Sequence, residues 1–150
     1  QARSLNLSVS VAVAAFEAGQ WDTARAELQE LFKLDSDYKD AQVLFQEACY
    51  YQAIRTLLET GDWEKAKAEL TPVTRDAEFV LRELVAEQVT NEASAKGWST
   101  YRVEQGDYMN RLVQELGISK ERLISANVKY YPAIRDGSLS QWWLLLVPRE

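Results

Sequence analysis

Residues 101–148 run YRVEQGDYMNRLVQELGISKERLISANVKYYPAIRDGSLSQWWLLLVP, and the reading of this stretch decides the fold. It opens on a short alternation, Thr100 to Glu104, and turns at Gly106-Asp107. Alternation predicts a strand, because successive side chains of an extended backbone point to opposite faces. Leu112, Val113 and Leu116, and then Leu123, Ile124 and Ala126, recur at helical spacing, which predicts two short amphipathic helices. A second apolar strand follows over Trp143 to Val147. The predicted order is βααβ, with the helices covering one face of a two-stranded sheet.

The spacing Tyr101-x-Val103-x-x-Gly106-Asp107, then Leu112, Leu116-Gly117-Ile118-Ser119, Leu123, Asn127 and a strand ending at Pro148, resembles the LysM family of small glycan-binding modules. The resemblance covers the last third of the chain. It implies a shallow groove for polymers containing N-acetylglucosamine. Gly106, Asp107, Tyr108 and Met109 would form one lip, and Pro132, Ala133, Ile134, Arg135 and Asp136 the other. Backbone groups would bond the acetamido groups while apolar side chains take the sugar faces. Two features depart from the family pattern. Tyr108-Met109 stands where Thr-Leu is usual, and Ser140-Gln141-Trp142-Trp143 replaces a Pro-Gly turn. Tyr108 could stack on a sugar or block the groove, so a LysM fold kept only as a packing module stays open beside the binding reading.

Upstream, Gly97 ends a helix predicted from about Arg75 to Lys96, with Ala77, Val80, Leu81, Leu84, Val85 and Val89 turned inward. The connection to the C-terminal unit is then so short that the two parts should dock. Further back lies an internal repeat: GQWDTARAEL at 19–28 returns as GDWEKAKAEL at 61–70, an offset of 42 residues. In each copy Gly ends one helix, while Ala and Leu at helical spacing let the next pack closely. This resembles the tetratricopeptide repeat (TPR) family, whose unit is a helical hairpin of about 34 residues. The longer period implies an extended first helix, predicted from Ser36–Tyr38 to Thr60 with Ala41, Leu44, Phe45, Ala48, Tyr51, Ile54, Leu57 and Leu58 as its apolar face. Trp21 and Trp63, at matching repeat positions, are read as filling helix joints and not as a ligand-stacking surface.

The N-terminal LNLSVSVAV alternates strictly, which predicts an extended arm over 1–9 and a helix from about Ser10 to Ala18. Such an arm, through Leu5, Leu7 and Val9, must pair with a sheet edge of its own chain or of a neighbour. Asn6-Leu7-Ser8 is also a glycosylation sequon. The fold class is thus mainly α: a TPR-like hairpin array over 10–97, followed by a small α+β module over 100–150. Tyr130, Tyr131, Trp142 and Trp143 form an aromatic cluster larger than a unit of this size needs, so part of it should bury against the helices or another subunit.

Composition narrows the function classes. A net charge of −6 without a basic run disfavours nucleic acid. With no histidine and the single Cys49 in a helical pattern, the usual nucleophile-base pairs and common zinc sites are excluded, and Cys49 is read as a buried apolar thiol. The acidic residues sit at helical spacing among Lys and Arg, as on a solvated face. No cofactor, metal or catalytic constellation is expected, and no run of about eighteen apolar residues predicts a membrane span. The chain begins at Gln1, so a processed product is expected, acting outside the cytoplasm or in the cell envelope. Two functions follow. One is a binding and scaffolding protein that joins a wall-type glycan to a protein partner. The other is a self-assembling subunit of an extracellular filament or array, using the arm and the aromatic edge.

Overall fold

A computed structural model describes residues 18–34 and 39–149 of the chain. The predicted arm with Leu5, Asn6, Leu7 and Val9, the helix from Ser10 and the Ser36 or Asp37 cap lie outside the described residues. Four helices come first: α1 Trp21–Leu34, α2 Lys39–Thr60, α3 Trp63–Leu70 and α4 Ala77–Lys96. They are followed by β1 Ser99–Arg102, α5 Met109–Leu116, α6 Lys120–Asn127, a 3-10 turn Pro132–Asp136 and β2 Leu144–Val147. The described chain is mainly helical with one small antiparallel sheet. Among the described residues, no helix is long and apolar enough to cross a membrane.

Side-chain caps set the helix starts. Asp62 accepts from Lys65 N at 3.0 Å, Asp76 from Phe79 N at 3.1 Å and Ser119 from Arg122 N at 3.1 Å, each satisfying an amide the helix cannot. The two repeat copies occupy equivalent places. Trp21 and Trp63 each begin a helix, and Ala24, Leu28, Ala66 and Leu70 are all fully buried. Alanine at the contact lets the backbones approach, and leucine one turn on supplies the apolar area.

Helix α4 is the shared element. It packs against α2 and α3 on one side and against both strands on the other. Leu81, Val85 and Val89 are wholly buried between them, so one continuous core runs from Leu28 through Leu57 and Leu81 to Leu112 and Leu146. The docking expected from the short connection is therefore present. Two α2 residues depart from the predicted apolar face: Tyr51 and Leu58 are 49% and 42% exposed. They lie at the margin of the stripe traced by Phe45, Cys49, Ala53 and Leu57, and the Tyr51 ring stacks on Trp21 with centroids 4.6 Å apart.

The strands pair Ser99 with Val147 and Arg102 with Leu144. The other edge of β2 is closed by side chains. Leu146 N donates to Asn127 Oδ1 at 2.6 Å, and Asn127 Nδ2 donates to Leu146 O at 2.8 Å and Leu123 O at 2.9 Å. Tyr131 Oη both accepts from Leu144 N and donates to Leu144 O, each at 3.0 Å. An edge so occupied offers no ladder to an incoming strand.

Candidate functional site

The first predicted lip is built around Asp107. Its Oδ2 accepts from Tyr101 Oη and from Glu104 N, both at 2.8 Å, and Oδ1 accepts from Arg111 Nη2 at 3.4 Å. The Glu104 amide and then the Tyr101 hydroxyl hold the Asp107 carboxyl below its ordinary range, and the same bond to Asp107 pushes Tyr101 up to about 12. Asp107 therefore ties the turn at Gly106, with its side chain only 7% exposed. Tyr108 points outward, 56% exposed, with the Arg111 guanidinium 5.2 Å from its ring centre. Met109 faces the core.

On the second lip, Pro132 is half-buried against the α2–α3 turn. A Cβ built on Gly61 would lie 3.3 Å from Pro132 Cγ. Ile134 is wholly buried, while Ala133, Arg135 and Asp136 are exposed. Of the nine residues expected to line the groove, Met109 and Ile134 could thus contribute only backbone to a ligand. Asp107 is already committed, and the 132–136 turn is docked on the helical part.

That docking creates a cleft of about 350 Å³ where the two parts meet. Its wall is aromatic. Tyr131 and Trp143 stack at 4.7 Å and 16°, and Trp63 stands 6.2 Å from Tyr131. Pro132, Ala133, Ser140 and Gln141 line one side, and Glu78 and Arg82 of α4 the other. Trp63 is fixed by its Nε1, which donates to Glu78 Oε2 at 3.1 Å. Glu78 also pairs with Arg82 at 3.0 Å and Lys67 at 3.3 Å. Burial works to raise its pKa, but the bonds from Trp63 and Lys67 and the charge of Arg82 prevail and lower it. Glu78 is thus a fixed anion that orients an indole, and among the described residues it is the one carboxylate lining this cleft. The arrangement can hold a flat, partly apolar ring against aromatic faces, and it presents no acid-base pair.

The aromatic quartet divides. Tyr130 and Tyr131 are 5% and 3% exposed. Tyr130 Oη donates to Glu92 of α4 at 2.6 Å, and Tyr131 is held by Leu144 and the rings of Trp63 and Trp143. Both are used inside the chain, against the helical part, the first of the two burial partners expected for this cluster, where burial of the rings and pairing of the hydroxyls are satisfied together. Trp143 is half-buried in the cleft, and Trp142 is 54% exposed. Trp142 also has φ +83, at the third position of a turn closed by Trp143 N donating to Ser140 O. That position normally needs glycine.

Trp63 packs at its joint, as its repeat position predicts, and in addition lines the cleft. Glu78, Arg82 and Gln141 carried no local signal, because only the docking of distant segments assembles them. Cys49 is buried, and burial pushes its thiol up. Among the described residues no group of three or more His, Cys, Asp or Glu is placed to hold a metal ion. The chain matches no protein-family profile, no curated protein and no solved structure.

Proposed function

We propose that the chain is a non-catalytic binding and scaffolding protein of the cell envelope or exterior. Its C-terminal β-α-α-β unit is a LysM-like module for glycans containing N-acetylglucosamine, and its TPR-like helices offer a surface to a protein partner. The observation that supports this reading is the cleft walled by Trp63, Tyr131 and Trp143, with the neutral hydrogen-bonding side chains of Ser140 and Gln141 at its rim. Aromatic faces beside a few polar groups suit a pyranose ring, which has an apolar face and a polar perimeter. A volume of about 350 Å³ falls at the small-ligand end of such sites. The site so proposed lies on the helix-facing side of the 132–136 turn.

Sedimentation with insoluble chitin or peptidoglycan tests the reading. The parent chain should be retained. Ala133→Trp, which fills the cleft from an exposed position, and Gln141→Ala, which removes a rim group, should be released while keeping the parent's melting curve. Equal retention of all three, or none, would refute it.

A second reading, the self-assembling subunit, is favoured by one specific observation: Trp142 exposes an indole from a backbone conformation that disfavours it. Light scattering of the parent, of Trp142→Gly and of a chain lacking residues 1–9 decides it. Concentration-dependent particles that shrink in both variants would establish that reading.

A further inference from the structure

The aromatic cleft is one end of a longer surface. It shares Gly61 and Pro132 with a hollow of about 290 Å³ that reaches Leu58, Val128 and Arg135. That hollow shares Lys129 with a third, of about 260 Å³, lined by Lys96, Trp98, Arg122 and Pro148. The three adjoin along the seam between the helices and the C-terminal unit.

Charge is segregated along this seam. The chain has 17 Lys and Arg against 23 Asp and Glu. On the seam the balance reverses among the described residues: Arg82, Arg135, Lys129, Lys96 and Arg122 line it with Glu78 and Glu92 as the only carboxylates. Both carboxylates are committed. Glu92 accepts from Tyr130 Oη at 2.6 Å, pairs with Lys96 Nζ at 2.8 Å and also pairs with Lys129. Burial works to raise its pKa, yet the bonds from Lys129, Lys96 and Tyr130 bring it to about 2, so it stays charged and holds the two ammonium groups over the third hollow. Lys96 also lies 4.6 Å from the centre of the Trp98 ring, and the Arg122 guanidinium is steadied by the Arg149 carbonyl. Two of the three cations there share one counter-charge, which leaves a positive hollow with an apolar floor.

We propose that the seam binds a linear glycan bearing acidic groups, with sugar faces on Trp63 and Trp143 and the acidic groups beside Lys129, Lys96 and Arg122. The proposal rests on the glycan reading above and extends it by the charge of the ligand. A glycan fits better than an acidic peptide. The rim of the aromatic cleft carries the neutral polar side chains of Ser140 and Gln141, which suit a sugar perimeter, and strand addition of a peptide along the outer edge of β2 is closed by Asn127 and Tyr131.

Calorimetric titration of the full chain tests it with three probes: a hyaluronan hexasaccharide, which alternates N-acetylglucosamine with a carboxylate sugar; neutral chitohexaose; and a polyglutamate of similar length. Arg122→Glu and Lys129→Gln serve as seam variants, and Arg75→Glu, at an exposed position off the seam, as the charge control. At low salt hyaluronan should bind about tenfold tighter than chitohexaose, and the advantage should shrink as salt screens the charges. Either seam variant should remove most of that advantage, and Arg75→Glu should leave it in place. Chitohexaose bound as well as hyaluronan would overturn the seam proposal and leave the glycan reading standing. Polyglutamate bound more tightly than hyaluronan, or an advantage insensitive to both seam variants, would also overturn it. Failure of both sugars to bind would overturn both readings.

Discussion

Trp142 occupies a backbone conformation in which a bulky L-residue is disfavoured by roughly 1–2 kcal/mol, and the residue stays 54% exposed. Folding alone gives no reason to keep it. Trp142→Gly should raise the urea midpoint by the equivalent of about 1 kcal/mol, because glycine adopts positive φ without strain. A lowered midpoint would mean that the indole stabilises the fold. Asn127 presents the opposite case. Its amide saturates Leu146 N and O, and both residues are fully buried. Asn127→Ala strands that donor and acceptor away from water, and each orphaned group costs roughly 1–3 kcal/mol. A loss of about 3 kcal/mol in urea unfolding is expected, and a loss below about 1 kcal/mol would show that water reaches the site. The importance of Asn127 could be suspected from its place in the sequence pattern, but its partner could not, because Leu146 carries no polar side chain to advertise the bond.

At the scale of elements, the turn at Gly61 joins α2 to α3 and also seats Pro132. Gly19 heads the first repeat copy in the same left-handed conformation, φ +75 against +69, with nothing among the described residues within 4 Å of a built Cβ. Substituting alanine at either position incurs the same backbone strain, of about 1 kcal/mol. At Gly61 the new methyl must also push back Pro132, whose Cγ would lie at 3.3 Å. Gly61→Ala should therefore cost more than Gly19→Ala in thermal denaturation, and it alone should weaken ligand binding in the cleft beside it. Equal costs would mean that the joint yields freely. The order of strands and helices was legible because each element carries its own period: alternation at Tyr101–Val103, helical spacing at Leu112–Leu116 and Leu123–Ala126. The repeat was legible because its small residues recur in step. The margin of α2 was not, since Tyr51 and Leu58 are apolar by type and yet stay 49% and 42% exposed at the edge of the buried stripe.

Across the whole molecule, α4 joins the two parts through Glu92, whose pairing with Lys129 and Tyr130 spans the seam. Its folded pKa, about 2, lies below the ordinary value of 4.5, so the protonated form is disfavoured in the native state. The stabilisation is fully present above about 4.5 and is lost as pH falls toward 2. Glu92→Gln should flatten stability against pH within that window while leaving other acid transitions in place; an unchanged slope would show that the Glu92 pairs do not hold the parts together. The candidate site was only partly legible. Its Trp and Tyr residues stand out in the chain, and the family resemblance marked the 132–136 turn. The face that this turn presents depends on docking against Gly61 and Trp63, and no local pattern encodes that. The central claim is that a glycan ring lies in the aromatic cleft at this seam. The most direct measurement is an NMR titration of the isotope-labelled chain with chitotetraose. The account requires saturable shifts at the Trp63 and Trp143 indole N–H and at the Ala133 and Gln141 amides, with Phe79 and Glu83 unmoved. A flat titration, or shifts confined to residues 106–109 with the cleft silent, would contradict it.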